Sequence, residues 1–167
     1  MVTITLAVPS SADAGLHHVL TINARSTALP SISQSLTDTT TVLQVGGVSF
    51  SPSRSTPTVG GQLVQFQHTV LNTGNGLDTY TITATQTLNW SITIVPTTTS
   101  TLSRGVYATV QVSIQVPAGA TTVESNLIRL RATSKFAPAI FGDVEDTIGS
   151  PQNVGTRWYF IYMPNQR

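Results

Sequence analysis

The chain has 167 residues and a formal net charge of +1, with 9% charged and 40% hydrophobic residues, where an ordinary soluble domain carries roughly 25% charge. Polar character falls instead to hydroxyls, with 28 Thr and 17 Ser, and seven Arg stand against one Lys. This balance gives no electrostatic basis for binding nucleic acid or an anionic membrane. The lack of Cys excludes disulfides and thiolate chemistry, and no run approaches the ~18 apolar residues of a membrane helix.

Thr, Val and Ile are stiff at Cβ and favour a pleated, half-buried surface, and here they alternate. Val2, Ile4, Leu6 and Val8 alternate with Thr3, Thr5 and Ala7. A second run holds Leu63, Phe66, Val70 and Leu71, with a phase break near Val64-Gln65 that reads as a bulge. Tyr80, Ile82 and Ala84 follow, then Ile92 and Ile94, then Val106 through Val116, then Leu127 to Ala132. Between them lies turn chemistry: Pro9-Ser10-Ser11, Asn72 to Gly76, Pro96-Thr97, Ser103-Arg104-Gly105 and Pro117-Ala118-Gly119. A period of two with one apolar face means sheets solvated on one side. Strands at 8–12-residue spacing predict a β-sandwich.

Shifted by 108 residues, the chain matches itself without a gap from Val2–Thr39 onto Val110–Thr147. Identities include Val8/Val116, Pro9/Pro117, Ala24/Ala132, Ser26/Ser134, Ile32/Ile140 and Asp38/Asp146. That period is the length of one immunoglobulin-like sandwich, about 100 residues. The predicted fold is therefore all-β: an immunoglobulin-like antiparallel β-sandwich, one complete domain at 45–148. It is preceded by the last three strands of a like domain at 1–44 and followed by a C-terminal β tail at 149–167. About 44 residues without disulfide or metal rarely fold alone. Three explanations stay open: residues upstream of the chain are missing, another copy supplies strands, or the fragment packs on its own complete domain.

The stretch Val70-Leu-Asn-Thr-Gly-Asn-Gly-Leu-Asp78-Thr-Tyr80, with Asn89-Trp90, Pro96, Leu102, Gly105, Val112 to Pro117 and Ala132-Thr-Ser134, resembles the bacterial immunoglobulin-like modules of the NEW3 and CARDB type. The resemblance covers about 45–148, and its second half recurs at 1–44. It implies a spacer, adhesive unit or structural repeat of secreted and cell-surface proteins. Val123 departs from the pattern, where Gly15 keeps the glycine.

The tail Arg157-Trp-Tyr-Phe-Ile-Tyr-Met-Pro164 would put Trp158, Phe160 and Tyr162 on one strand face and Tyr159, Ile161 and Met163 on the other. Such a strand wants cover on both sides. A half-sandwich lacking strands and a strand lacking a sheet complement each other by donation between chains. The contact is head-to-tail and builds an open filament unless its rotation closes. The expected assembly interface is thus Trp158, Tyr159, Phe160, Ile161, Tyr162 and Met163 with Val2, Ile4, Leu6 and Val8.

No catalytic, cofactor or metal site is expected. His17 and His18 point to opposite strand faces and cannot share a metal; His68 stands alone. Asp143, Glu145 and Asp146 match no calcium loop and read as a solvated loop. Asp78 reads as a cap on turn amides and Trp90 as core. No Gly-x-Ser-x-Gly, His-Glu-x-x-His or phosphate loop occurs. The expected function is an extracellular or cell-surface structural subunit, not an enzyme, whose partners are copies of itself. The alternative is an adhesin or glycan-binding accessory module. Met1-Val-Thr-Ile-Thr has no signal-peptide pattern, so export implies a cleaved leader or an upstream region.

Overall fold

The computed structural model describes residues 3–120 and 125–149, and every regular element in them is a strand. Two strands form a separate hairpin, β1 (His17–Arg25) and β2 (Ser33–Thr41). Eight more make a sandwich: β3 (Val48–Ser51), β4 (Ser55–Pro57), β5 (Leu63–Asn72), β6 (Tyr80–Gln86), β7 (Ser91–Val95), β8 (Tyr107–Gln115), β9 (Ser125–Ser134) and β10 (Phe141–Gly149). One sheet runs β3-β5-β8-β7, and the other runs β4-β10-β9-β6. All pairings are antiparallel except β10 with β4. The chain's passage from β3 in one sheet to β4 in the other, with these strand orders, is immunoglobulin-like topology.

The core lies between the two inner faces. Val110, Val112 and Ile114 of β8 and Ile128, Leu130 and Ala132 of β9 are fully buried, each set at the period of two. Tyr80, Ile82, Trp90, Val144 and Ile148 close around them. The outward positions of β6 and β8 are Thr, Gln and Ser with Tyr107 at the start of β8, and the threonines keep strand stiffness while staying wet.

Two sequence expectations change here. β5 carries no bulge: it pairs continuously with β8, from Leu63 opposite Gln115 to Leu71 opposite Tyr107. Its inward positions are Val64, Phe66, His68, Val70 and Asn72; the apparent break near Val64-Gln65 arises because Leu63, apolar but 56% exposed, lies in the outward phase. The acidic cluster is not a loop either. Asp143, Glu145 and Asp146 lie in β10, the first two facing outward and Asp146 inward.

Candidate assembly interface

The hairpin β1–β2 is a structural copy of β9–β10 displaced by 108 residues. β1 begins at His17 and β9 at Ser125; β2 spans 33–41 and β10 spans 141–149. Their registers coincide: His17 faces Thr41 as Ser125 faces Gly149, and Arg25 faces Ser33 as Thr133 faces Phe141. The connecting loops match bond for bond. Ser26 N donates to Ile32 O and Ser134 N to Ile140 O, both at 3.0 Å. The Ser26 hydroxyl accepts from Leu29 N at 3.1 Å and the Ser134 hydroxyl from Ala137 N at 2.9 Å. The preceding turns match as well, Ala12 N to Pro9 O and Ala120 N to Pro117 O, both 3.0 Å. Gly15 has φ +83°, a left-handed conformation that favours glycine.

What differs is cover. In the sandwich, β9 pairs on its far edge with β6 and β10 pairs with β4. Among the described residues neither edge of the hairpin has a partner, and no sheet opposes its face. Leu36 is 60% exposed where its counterpart Val144 is 4%. Residues 3–9 form no strand, although their counterpart, residues 111–117, holds the second half of β8. β8 is a strand because β5 and β7 hydrogen-bond to it on both sides, and residues 3–9 have neither neighbour. Ile4, Leu6 and Val8 are accordingly 48%, 43% and 50% exposed, against 0%, 0% and 1% for Val112, Ile114 and Val116. The structure thus places three of the expected interface residues on an uncovered surface. Val2 and the tail residues Trp158, Tyr159, Phe160, Ile161, Tyr162 and Met163 lie outside the described residues, as does Val123.

The hairpin unit joins the sandwich through a polar seam. Ala14 N donates to Asn75 O at 2.8 Å, and Val45 N donates to the Asn75 side chain at 2.7 Å. The Arg104 guanidinium donates to Ser11 O at 2.7 Å and approaches Asp13 at 3.5 Å. Gly47 and Gly74 permit the linker to cross the 72–76 turn: a Cβ on Gly47 would lie 2.7 Å from Gly74 N. The seam holds the hairpin by one end and leaves its apolar face without an opposing sheet: Leu36 and Ala24 are exposed, and Leu20 and Ile22 are half-buried.

Two buried polar clusters tie the halves of the sandwich together. Where the chain crosses from β3 to β4, its backbone leaves both ladders. His68 Nδ1 lies 2.8 Å from Pro52 O, and Arg54 N donates to Asp146 Oδ1 at 2.8 Å. His68 Nε2 and Asp146 Oδ2 approach to 3.0 Å, both side chains without exposure and neither atom with another partner. At the opposite end, Asp78 accepts from Thr79 N, Phe136 N and the Ser134 hydroxyl at 2.7, 3.1 and 2.5 Å. Its partners are therefore mainly the β9–β10 loop. Asn72 holds its own turn instead, donating to Gly76 O and Leu102 O at 2.8 Å and accepting from Gly74 N. Burial, with Asp78 nearby, raises the Tyr80 phenol above its ordinary value, and its hydroxyl donates to Gly47 O.

The other candidates settle into structural positions. Asp143 pairs with Arg131 and Glu145 with Arg129 across β9–β10, and hydrogen bonding from Arg131 holds the Asp143 carboxyl below the ordinary carboxylate range. Arg131 also stacks 3.6 Å over the Phe141 ring. His17 and His18 are exposed on β1. Trp90 is 8% exposed, in the core, so it presents no face to a sugar. Among the described residues no group of three His, Cys, Asp or Glu could hold a metal, and no helix is long and apolar enough to cross a membrane.

No protein-family model matches the chain, and no curated protein matches it. Among solved structures it is similar to the ASH/PapD-like domain 7 of human CEP192, at TM-score 0.48 and 10% identity, over 62% of this chain and 84% of that one. It is also similar to the secreted serine protease VesC from Vibrio cholerae, at TM-score 0.48 and 16% identity, over 62% of this chain. The periplasmic chaperone SfaE matches at TM-score 0.41 and 16% identity, over 64% of this chain. The chain spans 23% of VesC and 58% of SfaE.

Proposed function

We propose that this chain is an extracellular structural subunit: an immunoglobulin-like repeat, of the NEW3 and CARDB kind, in a cell-surface filament or fibre held together by strand complementation between chains. One observation carries the reading. The hairpin β1–β2 reproduces β9–β10 in strand bounds and register, yet its edges and face are uncovered. Unpaired sheet edges beside exposed apolar residues are templates for another polypeptide. The buried side chains His68, Asp78 and Asp146 each hydrogen-bond inside the sandwich, with His68 Nε2 and Asp146 Oδ2 facing only each other, which supports a mechanical role over a catalytic one. Sparse charge weakens repulsion between neighbouring units.

The first candidate donor is the 158–163 strand of a neighbouring copy, added to the free edge of β1 in a head-to-tail homopolymer. Size-exclusion chromatography and electron microscopy of the full chain against a 1–149 truncation test this. Filaments from the full chain and separate particles from the truncation are expected. Equal polymerisation by both would remove the tail as donor, and separate particles from both would remove the homopolymer.

A further inference from the structure

We propose that the occupant of the β1–β2 face is the front half of a sandwich of this same type: a polypeptide carrying strands equivalent to β3 through β7, with a histidine placed as His68 is and an aspartate placed as Asp78 is. The inference deepens the proposed function and rests on its reading of β1–β2 as an assembly surface, but not on the tail.

Within these 167 residues the halves do not balance. They hold two back halves, residues 2–41 and 110–149, by the 108-residue match. They hold one front half, β3 to β7, already closed by its own β8, β9 and β10. Exchange between copies of these residues can change which back half is covered, but leaves one without a front half. The tail cannot stand in for a front half. A single donated strand fills the edge place that β6 takes on β9 and leaves the inner face of the hairpin without an opposing sheet.

The inner face states what the occupant must bring. By the 108-residue equivalence, Leu20, Ile22 and Ala24 of β1 stand where Ile128, Leu130 and Ala132 stand, all three fully buried. Leu36 stands for Val144. Polar positions are retained too, and polar groups are the specific ones. Asp38 stands for Asp146, whose carboxylate meets His68 and accepts from Arg54 N. Asp38 is exposed, and no hydrogen bond to its side chain occurs among the described residues. Ser26 stands for Ser134, whose hydroxyl donates to Asp78. Ser26 accepts from Leu29 N in the same way, which leaves its hydroxyl able to donate as that of Ser134 does. A buried carboxylate without donors is costly, so whatever covers Leu36 and Asp38 together must bring donors placed as His68 and the Arg54 amide are.

The test joins residues 45–109 directly ahead of Val2 of the full chain, the join that the period dictates. Amide hydrogen exchange across 17–41 is then compared with the unmodified chain. Slowing by about 100-fold or more is expected, towards the protection of 125–149. Asp38→Ala in the fusion should cancel most of that slowing, while Asp38→Ala in the unmodified chain changes nothing. A separately produced 45–109 fragment, diluted from denaturant into the full chain, is the second arm, and it decides the matter should the fusion aggregate. Unchanged exchange in both arms overturns the proposal. So does slowing in the 1–149 truncation that grows with its own concentration, because a second copy then covers the face without the tail. Filament loss in the 1–149 truncation with protection intact in the fusion would separate this inference from the tail.

Discussion

Asp146→Ala should destabilise the 45–149 sandwich by about 2–5 kcal/mol, because it leaves the buried His68 imidazole and the Arg54 amide without the carboxylate that faces them, at about 1–3 kcal/mol for each unsatisfied group. The identical change at the equivalent position, Asp38→Ala, should move the stability of the same chain by less than about 0.5 kcal/mol. The difference is context alone. Asp146 has no exposure, meets His68 at 3.0 Å and holds the Arg54 amide at 2.8 Å. Its removal strands the imidazole and one backbone donor in the core, precisely where the chain changes sheets. Asp38 occupies the same strand position in the same register but sits in water. Asp146→Asn should fall between, since an amide still accepts from Arg54 N but brings no charge to His68. Chemical denaturation followed by circular dichroism measures all three. Equal losses at 146 and 38 would mean that the hairpin face is already covered, and the assembly reading would lose its foundation.

The sequence and the structure diverge in instructive places. Strand periodicity was legible wherever the inward residues were apolar: β6, β7, β8 and β9 all lie within the alternating runs. The 108-residue match carried more than periodicity does, because it implied the register of β1–β2 as well as its strands. Legibility failed where a polar residue took a core position. His68 and Asn72 put imidazole and amide into the inward phase of β5, and each is admissible there only through a partner remote in sequence: Pro52 and Asp146 for one, Leu102 for the other. Asp146 was hidden in the same way, inside a run of acids that pattern alone reads as solvated. Its identity with Asp38 across the repeat was the available signal, since a surface loop has no reason to keep its phase over 108 residues. The expected strand at 2–8 failed for another reason. Alternation specifies a strand only when neighbours are present to pair with it, and in β8 both flanking ladders come from the front half.

Trp90→Ala should cost about 3–5 kcal/mol, the range for deleting a large aromatic from a core that collapses only partly. For a unit of this size that lowers the melting temperature by roughly 12 °C or more. Trp90 precedes β7 and is 8% exposed, part of the buried cluster that also holds Val112, Ile114 and Ile128. Its backbone is held on either side, the amide donating to Leu88 O at 2.9 Å and the carbonyl accepting from Gln86 Nε2 at 2.8 Å. These bonds do not involve the ring, so the loss reports packing rather than a broken turn. Calorimetry of Trp90→Ala beside Trp90→Phe measures it, with the phenylalanine expected to recover more than half of the loss. A ring that stacked on a sugar would behave in the opposite way: both variants would keep the parent's melting temperature and lose glycan affinity. Because the front half supplies this tryptophan and the back half supplies Ile114 and Ile128, the size of the effect also measures how strongly a front half grips a back half, which is the contact that the bare hairpin at 17–41 lacks.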